Sequence, residues 1–357
     1  MSIAIITGSS GLVGSETVNF FCEKGFDVIG IDNNLREFFF GKNGSTNWIK
    51  SQLLKKNKNF KHLNIDIRNF DKLSRIFKKY SKRISVIIHC AAQPSHDYGK
   101  KFPFLDFHVN ATGTLNLLEL TKKYCSNSPF IFMSTNKVYG DNPNFLPLIE
   151  KKTRWEISKS HKFSSGIDET MSIDNCTHSF FGASKSYADL IVQEYGKNVG
   201  LMTSCFRAGC ITGPNHSGAE LHGFLSYLVK ACLYKKKYNL IGYKGKQVRD
   251  NIHSHDLVSC FWEYYKKPRK GEVYNTGGGR FSNCSIIEAL NLVQKITGIE
   301  ESLVPDPYFI GGGVHEIKRG GFLKIHADFN YHPKFKLSRR INALIYLNKD
   351  WEENYGG

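Results

Sequence analysis

Acidic residues are in short supply in this chain: 32 Asp and Glu stand against 49 Lys and Arg, a formal net charge of +17 in 357 residues. An excess of that size would suit a polyanion. Yet there is no basic arm and no RNA-binding signature, and the lysines are dispersed over helical stretches in short runs (Lys55 and Lys56, Lys78 and Lys79, Lys122 and Lys123, and Lys235 to Lys237). They read as solvated surface with some steering of an anionic substrate, and no nucleic-acid partner is expected. Also missing is any run approaching the ~20 apolar residues of a membrane span, so no membrane partner is expected. The first strand starts by Ser2 or Ile3, which leaves no room for a signal peptide, and a cytoplasmic location is the expectation. The nine cysteines are odd in number and scattered, with no C-x-x-C pair. That pattern reads as reduced core thiols and no metal site. No internal repeat and no disordered composition is evident, and 41% hydrophobic content is enough for one large domain or two coupled ones.

What is present begins at the first residues. Ile3 to Gly14 is an apolar run passing directly into Gly8, Gly11 and Gly14, with Leu12 and Val13 between the last two. A strand, a tight turn and a helix start are predicted. Glycines there permit unusual backbone angles and close approach of a pyrophosphate, whose charge the N–H groups and dipole at the helix N-terminus favour. A second strand, Asp27 to Asp32, ends in a carboxylate about 20 residues past the glycines, where an acid can hydrogen-bond both hydroxyls of an adenosine ribose. A 2′-phosphate would be repelled by Asp32. Arg36 could rescue it, but NAD is the expected cofactor.

Further along, apolar runs alternate with helical patterns as βαβ units require, through Lys61–Asp66, Ser85–Cys90 and Pro129–Ser134, with helices over Phe102–Tyr124 and Gly182–Val199. An α/β fold is predicted: a Rossmann-type doubly wound parallel sheet with a smaller C-terminal substrate-binding domain. Residues 1–200 are assigned to the cofactor domain and 201–357 mainly to the second, with some segments returning to the first. A long polar segment, residues 140–177, interrupts the rhythm and is expected to be functional or flexible, plausibly a cover over the site.

Two further segments fix the comparison with known enzymes. Ser134-Thr-Asn-Lys-Val-Tyr-Gly-Asp141 closes one strand, and His178-Ser-Phe-Phe-Gly-Ala-Ser-Lys185 opens a helix. Together with the glycine motif, Lys152-Thr-Arg-Trp155, Gly166-Ile-Asp-Glu169 and Gly245-Lys-Gln-Val-Arg-Asp250, they make the chain resemble the extended short-chain dehydrogenase/reductases, and within them the CDP-paratose (CDP-tyvelose) 2-epimerase branch. The likeness covers residues 1 to about 300.

The resemblance implies roles residue by residue. Gly8, Gly11, Leu12, Val13, Gly14, Asp32 and Asn33 would hold NAD at one end, Asp66 and Ile67 would lie at the adenine, and Ala91, Ala92 and Gln93 would pack beside the cofactor. Thr135 would hydrogen-bond the reacting sugar oxygen, Lys185 would bind ribose and tune a neighbouring acid, and Asn110 would support the site. Asn136, Arg207, Asn215 and Arg249 would bind the nucleotide sugar, Arg249 at its pyrophosphate. A homodimer through a four-helix bundle is implied, as is a CDP-sugar partner.

Phe181 departs from the family frame. In a Tyr-x-x-x-Lys helix the two side chains lie one turn apart, so that the ammonium can depress the phenol pKa. Phenylalanine does no acid or base work. Either it is an introduced Tyr-to-Phe change that leaves a catalytically impaired form, or it is natural and the proton falls to another group, for which His96, Asp97, Asp168, Glu169 and Tyr139 are candidates and His96 leads, because its ordinary pKa near 6.5 suits neutral pH. The implied reaction is oxidation at C2 of a nucleotide-linked sugar to a ketone and re-reduction on the other face. The alternatives are 4-epimerisation, dehydration or reduction on the same scaffold, or a silent binder of NAD or nucleotide sugar. Dehydratases usually carry an Asp-Glu pair beside the hydroxyl residue, and here Asn136 and Lys137 stand in that place. Lys318-Arg-Gly-Gly321 lacks an Asp often found after such a turn.

Overall fold

The computed structural model describes residues 2–216, 223–234 and 243–298. Seven parallel strands form one sheet: β1 (Ile3–Thr7), β2 (Asp27–Ile31), β3 (Phe60–Leu63), β4 (Ile84–His89), β5 (Phe130–Thr135), β6 (Thr203–Ala208) and β7 (Glu272–Thr276). Their order across the sheet is β7-β6-β5-β4-β1-β2-β3. β1 lies between β2 and β4, with Ile5 opposite both Ile29 and Ile87. It is buried at all five positions. Strands covered on both faces read as unbroken apolar runs, which is why these were legible in the sequence.

The period of two within β1 feeds two separate cores. Ala4 and Ile6 join Val18, Phe21, Val28 and Phe261 on one face. Ile3 and Ile5 join Ile29, Leu73, Phe77, Leu117 and Val192 on the other. Each fully buried Phe in these layers stabilises the fold by roughly 1.5–3 kcal/mol relative to exposure. The order in which strands are added reverses between β1 and β4, and at such a switch the carboxyl ends of the strands leave a crevice.

Five helices matter for the site: α1 (Leu12–Glu23), α2 (Gly113–Tyr124), α3 (Phe180–Lys197), α4 (Ser254–Lys266) and α5 (Ile286–Thr297). The single helix expected over Phe102–Tyr124 is instead three pieces, a short helix Pro103–Phe107, a π turn His108–Thr112 and then α2. The wider turn presents Asn110 to Gln93, Asp106 and Ser184, a tertiary demand that helical periodicity does not encode. A smaller apolar cluster, with Leu225 and Leu228 from the helix Phe224–Leu233 against Ile286, Leu290 and Val293 of α5, lies beyond the main sheet. Lys235 to Lys237 and Lys318 to Gly321 lie outside the described residues.

Residues 140–177 differ from the cover expected of them. They fold on their own satellite core of Ile157, Phe163, Ile167 and Met171 under Val138 and Tyr139. A two-stranded antiparallel pair, Leu148–Glu150 with Trp155–Ile157, completes the unit. Several contacts tie it down, two of them to β7 and α5. Glu169 accepts the backbone N–H of Asn275 on β7 at 2.6 Å, and Arg154 pairs with Glu288 of α5 at 3.2 Å. None of its residues is among those lining the main cavity, so it braces the sheet edge against α5 rather than roofing the site.

Candidate active site

A cavity of about 490 Å³ opens along the carboxyl ends of β1, β2, β4, β5 and β6. At one end the turn between β1 and α1 forms its floor. Gly8 has a positive φ of +67°, and a Cβ there would lie 2.7 Å from the backbone N of Ala91. A Cβ on Gly14 would meet the carbonyl oxygen of Gly8 at 1.9 Å, so side chains are excluded from both positions. Gly11, Leu12, Val13 and Gly14 all line the cavity. Asp32 is held by two backbone donors, Ser10 N at 3.0 Å and Asn34 N at 2.7 Å, with its carboxylate on the cavity wall. A glycine floor without side chains, a helix N-terminus and an oriented carboxylate fit the pyrophosphate and adenosine ribose of a dinucleotide.

Asn33, Asp66 and Ile67 continue this wall. Asn33 donates to Asp66 at 2.9 Å, and Arg68 grips the same carboxylate at 2.6 Å. Burial works against that charge, but the hydrogen bonds from Arg68 hold the Asp66 carboxyl below its ordinary value. Arg36 also lines the cavity, with its guanidinium 4.7 Å from the Phe40 ring and its pKa lowered by burial to about 10. Ala91 and Ala92 line the middle.

Gln93 does not join them, contrary to expectation. Its side chain is fully buried and donates to Asp106 at 2.5 Å and to the Ser95 carbonyl at 2.7 Å, away from the cavity. Asn110 sits behind the wall as well, in the supporting place expected for it. It accepts the Gln93 N–H at 2.9 Å and donates to Ser184 on α3 at 3.0 Å, tying the β4 loop to that helix.

The opposite end is built by the end of β5 and the first turns of α3. Ser179 caps α3 by accepting from Gly182 N, which points the helix start at the cavity. Thr135, Asn136, Lys137, Phe181 and Lys185 all line this part, with His96 beside them. Thr135 Oγ1 accepts the Lys137 N–H at 3.2 Å. Lys185 is buried, with its ammonium 2.7 Å from the Met133 carbonyl and 4.0 Å from the Phe132 ring centroid. Burial lowers its pKa to about 8, against the pull of Asp189. His96 lies edge-on to Phe181, ring centroids 5.1 Å apart, and its Nδ1 is 2.8 Å from Ser179 Oγ.

Arg249, from a two-residue strand Val248–Arg249 paired with Cys284–Ser285, reaches the same cavity, and among the described residues its Nη1 has no hydrogen-bond partner. An unsatisfied guanidinium facing a cavity is suited to a phosphate oxygen. Asn215 lines the cavity too, but on the cofactor side, donating to Ser15 of α1 at 3.0 Å.

Arg207 corrects the sequence reading outright. It is buried, forks onto Asp189 at 2.7 and 3.0 Å and donates to Tyr139 at 3.0 Å, so its charge is consumed inside the fold and it does not line the cavity. Tyr139 is thereby removed as a candidate base; it donates onward to Asn275 at 2.7 Å. Asp97, Asp168 and Glu169 are likewise absent from the cavity wall. Residues the sequence reading passed over as chemistry, Lys137 and Cys210, are on it. Lys137 had been noticed only as the replacement for an acid.

A family model for the NAD dependent epimerase/dehydratase family matches residues 4–277. The chain belongs to this family. Its cofactor is NAD, which the glycine floor and Asp32 fit. The chain is 32% identical over 303 residues to CDP-paratose 2-epimerase of Salmonella typhi, covering 83% of this chain and 85% of that protein. It is 28% identical to UDP-glucuronate 4-epimerase of Thermodesulfobacterium geofontis, over 84% and 81% of the two chains. In fold it is similar to dTDP-glucose 4,6-dehydratase of Bacillus anthracis in complex with NAD, with a TM-score of 0.73, 23% identity and coverage of 99% and 100%. A second model, of the 2OG-Fe(II) oxygenase superfamily, matches residues 312–357, which lie outside the described residues. Among the described residues no helix is long and apolar enough to cross a membrane.

Proposed function

We propose that the protein is a nucleotide-sugar 2-epimerase acting on a CDP-linked hexose or deoxyhexose, as a step in building a polysaccharide sugar. The observation that carries this reading is the turn after β5. Thr135, Asn136 and Lys137 face the cavity that the cofactor cradle also lines, and the two residues after the threonine are an amide and an amine rather than the acid pair of dehydration. The 32% identity to a CDP-paratose 2-epimerase supports the position and the nucleotide.

A bound nicotinamide supplies reversible two-electron oxidation of a sugar carbinol. The chain supplies the rest. Thr135 orients the reacting oxygen, Arg249 holds the diphosphate, Lys185 stands at the cofactor ribose, and the walls of the cavity shield the ketone from solvent until it is reduced on its other face. Phe181 stands where the family frame has tyrosine, so proton exchange falls to another side chain of the same wall.

Phe181 also favours a second reading, a silent binder of NAD and nucleotide sugar. One experiment separates the two. The protein is incubated with NAD and CDP-, UDP-, GDP- and dTDP-sugars, and the products are read by NMR. Inversion at C2 of a CDP-sugar is expected. Inversion at C4 or loss of water would replace the proposal with its relatives' reactions, and no product from any sugar would favour the silent binder.

The same reading includes a homodimer. Phe104, Phe180 and Leu190 are 81%, 55% and 46% exposed on the short helix Pro103–Phe107 and on α3, beside α2, where two copies would build a four-helix bundle. Light scattering giving only monomer at micromolar concentration would refute it.

A further inference from the structure

The wall around Phe181 holds few groups able to carry a proton. Lys185 has its ammonium fixed on the Met133 carbonyl and the Phe132 ring. Cys90 and Cys210 are thiols that burial pushes upward, Cys90 to about 12. His96 has one ring nitrogen on Ser179 and turns its edge to Phe181. Asp32 and Asp66 belong to the adenosine end and are held by Ser10, Asn34, Arg68 and Asn33.

Lys137 is different. It is half-buried, it lines the cavity, and among the described residues its ammonium makes no hydrogen bond or ion pair. It springs from the same short turn as Thr135, and its own N–H fixes the Thr135 hydroxyl oxygen at 3.2 Å. The charged group facing it from the Val248–Arg249 strand is another cation, Arg249, and the Cys210 thiol faces it from the strand Cys210–Thr212. A cation kept in a protein wall beside a second cation, with no carboxylate paired to either among the described residues, is costly unless a ligand or a reaction uses it.

We propose that Lys137 is the acid/base group of this site, doing at the sugar hydroxyl what Phe181 cannot. The assignment rests on the epimerase reading above. In the forward step the Lys137 amine takes the C2 hydroxyl proton while the C2 hydrogen leaves with its two electrons to the nicotinamide, and C2–O becomes C=O. In the return step the hydrogen comes back with both electrons on the opposite face, and the ammonium gives its proton to the forming alkoxide. No external oxidant or proton donor is consumed. The amine must be neutral to begin, and burial, reinforced by Arg249, lowers the Lys137 pKa to about 8.

The test compares the unmodified protein with Lys137→Met, Lys137→Arg and His96→Asn on the nucleotide-sugar panel. Turnover in the unmodified protein should rise with pH through about 8, a value to which burial brings both Lys137 and Lys185, so the limb is assigned by its loss in Lys137→Met. Lys137→Met should lower kcat by ~10²- to 10⁴-fold, the usual share of general acid/base help, and abolish that limb. Lys137→Arg should not restore it, because a guanidinium stays charged, whereas it would restore a lysine that only attracts phosphate. His96→Asn should stay within about tenfold of the unmodified protein, far short of the loss expected at a general base.

A readout without turnover is the ¹³Cε titration of the Lys137 side chain by NMR, assigned from its disappearance in the variants. Its midpoint is expected near 8. A midpoint at the ordinary lysine value of 10.5 would overturn the assignment even if Lys137→Met failed to fold. So would full turnover in Lys137→Met or rescue by arginine, and loss confined to His96→Asn would hand the role to His96. If a sugar other than a CDP-sugar is turned over with the same dependence on Lys137, the CDP reading falls and Lys137 stands. If no sugar is turned over, both fall.

Discussion

The two ends of the cavity are built from different materials. At the cofactor end the shape is set by backbone: glycines without Cβ atoms, the start of α1, and a carboxylate held by two main-chain N–H groups. At the opposite end it is set by side chains, with Thr135, Lys137, Phe181 and Arg249 arriving from three separate elements. Backbone shape tolerates little change because a Cβ has nowhere to go. Side-chain chemistry can be exchanged one residue at a time while the cradle stays intact.

The sharpest way to break this contrast is Gly14→Val. Its Cβ would fall 1.9 Å from the Gly8 carbonyl oxygen, so the turn must move. Overpacking of this kind costs ~1–3 kcal/mol, and concentrated on the cradle it should weaken NAD binding by up to about 100-fold. Calorimetric NAD affinity unchanged in Gly14→Val would mean that the backbone does not define this end. Next in size, Arg249→Ala should cost nucleotide-sugar binding ~1–3 kcal/mol through loss of a charge-assisted hydrogen bond, and leave NAD affinity alone. An effect on NAD instead would move Arg249 to the other end.

A smaller shift is expected from Asp32→Asn. It keeps an acceptor for the ribose but loses the charge, so NAD should bind about tenfold more weakly, roughly 1.4 kcal/mol, and the preference over NADP should shrink. Parallel titrations with NAD and NADP would show it. The smallest effect belongs to Phe181→Tyr. With the proton handled elsewhere, a hydroxyl beside His96 should alter turnover by less than about tenfold. A gain of ~10²-fold or more, measured as kcat on the productive sugar, would restore tyrosine to its family role and end the contrast between a fixed cradle and an exchanged proton group.

The same division explains what the sequence made legible. Glycine spacing and the strand-ending Asp32 announce the cradle because a local backbone requirement leaves a local pattern. The strands β1, β4 and β5 announce themselves because both faces are covered. Arg207 was misplaced because its partner, Asp189, sits on another element, and nothing near residue 207 says that the charge is already matched. Gln93 turned inward for the same kind of reason, its partner Asp106 lying in the short helix Pro103–Phe107. Lys137 passed as a missing carboxylate, since an unpaired cation in a wall becomes visible only when the facing residues, Arg249 and Cys210, are placed around it. The segment 140–177 had the composition of a loop, and composition does not say which surface a loop is fastened to.

That fastening bears on how the protein behaves in a crowded solution. β7 is an edge strand, and edge strands offer free backbone donors that recruit other chains. Here Glu169 occupies the Asn275 N–H, and Asn275 Nδ2 in turn holds the Ile167 carbonyl at 3.1 Å, so residues 140–177 act as a guard on the open side of the sheet. Shortening this segment would then leave the cavity lined as before and be felt first as a loss of solubility, through edge-to-edge assembly of otherwise folded molecules.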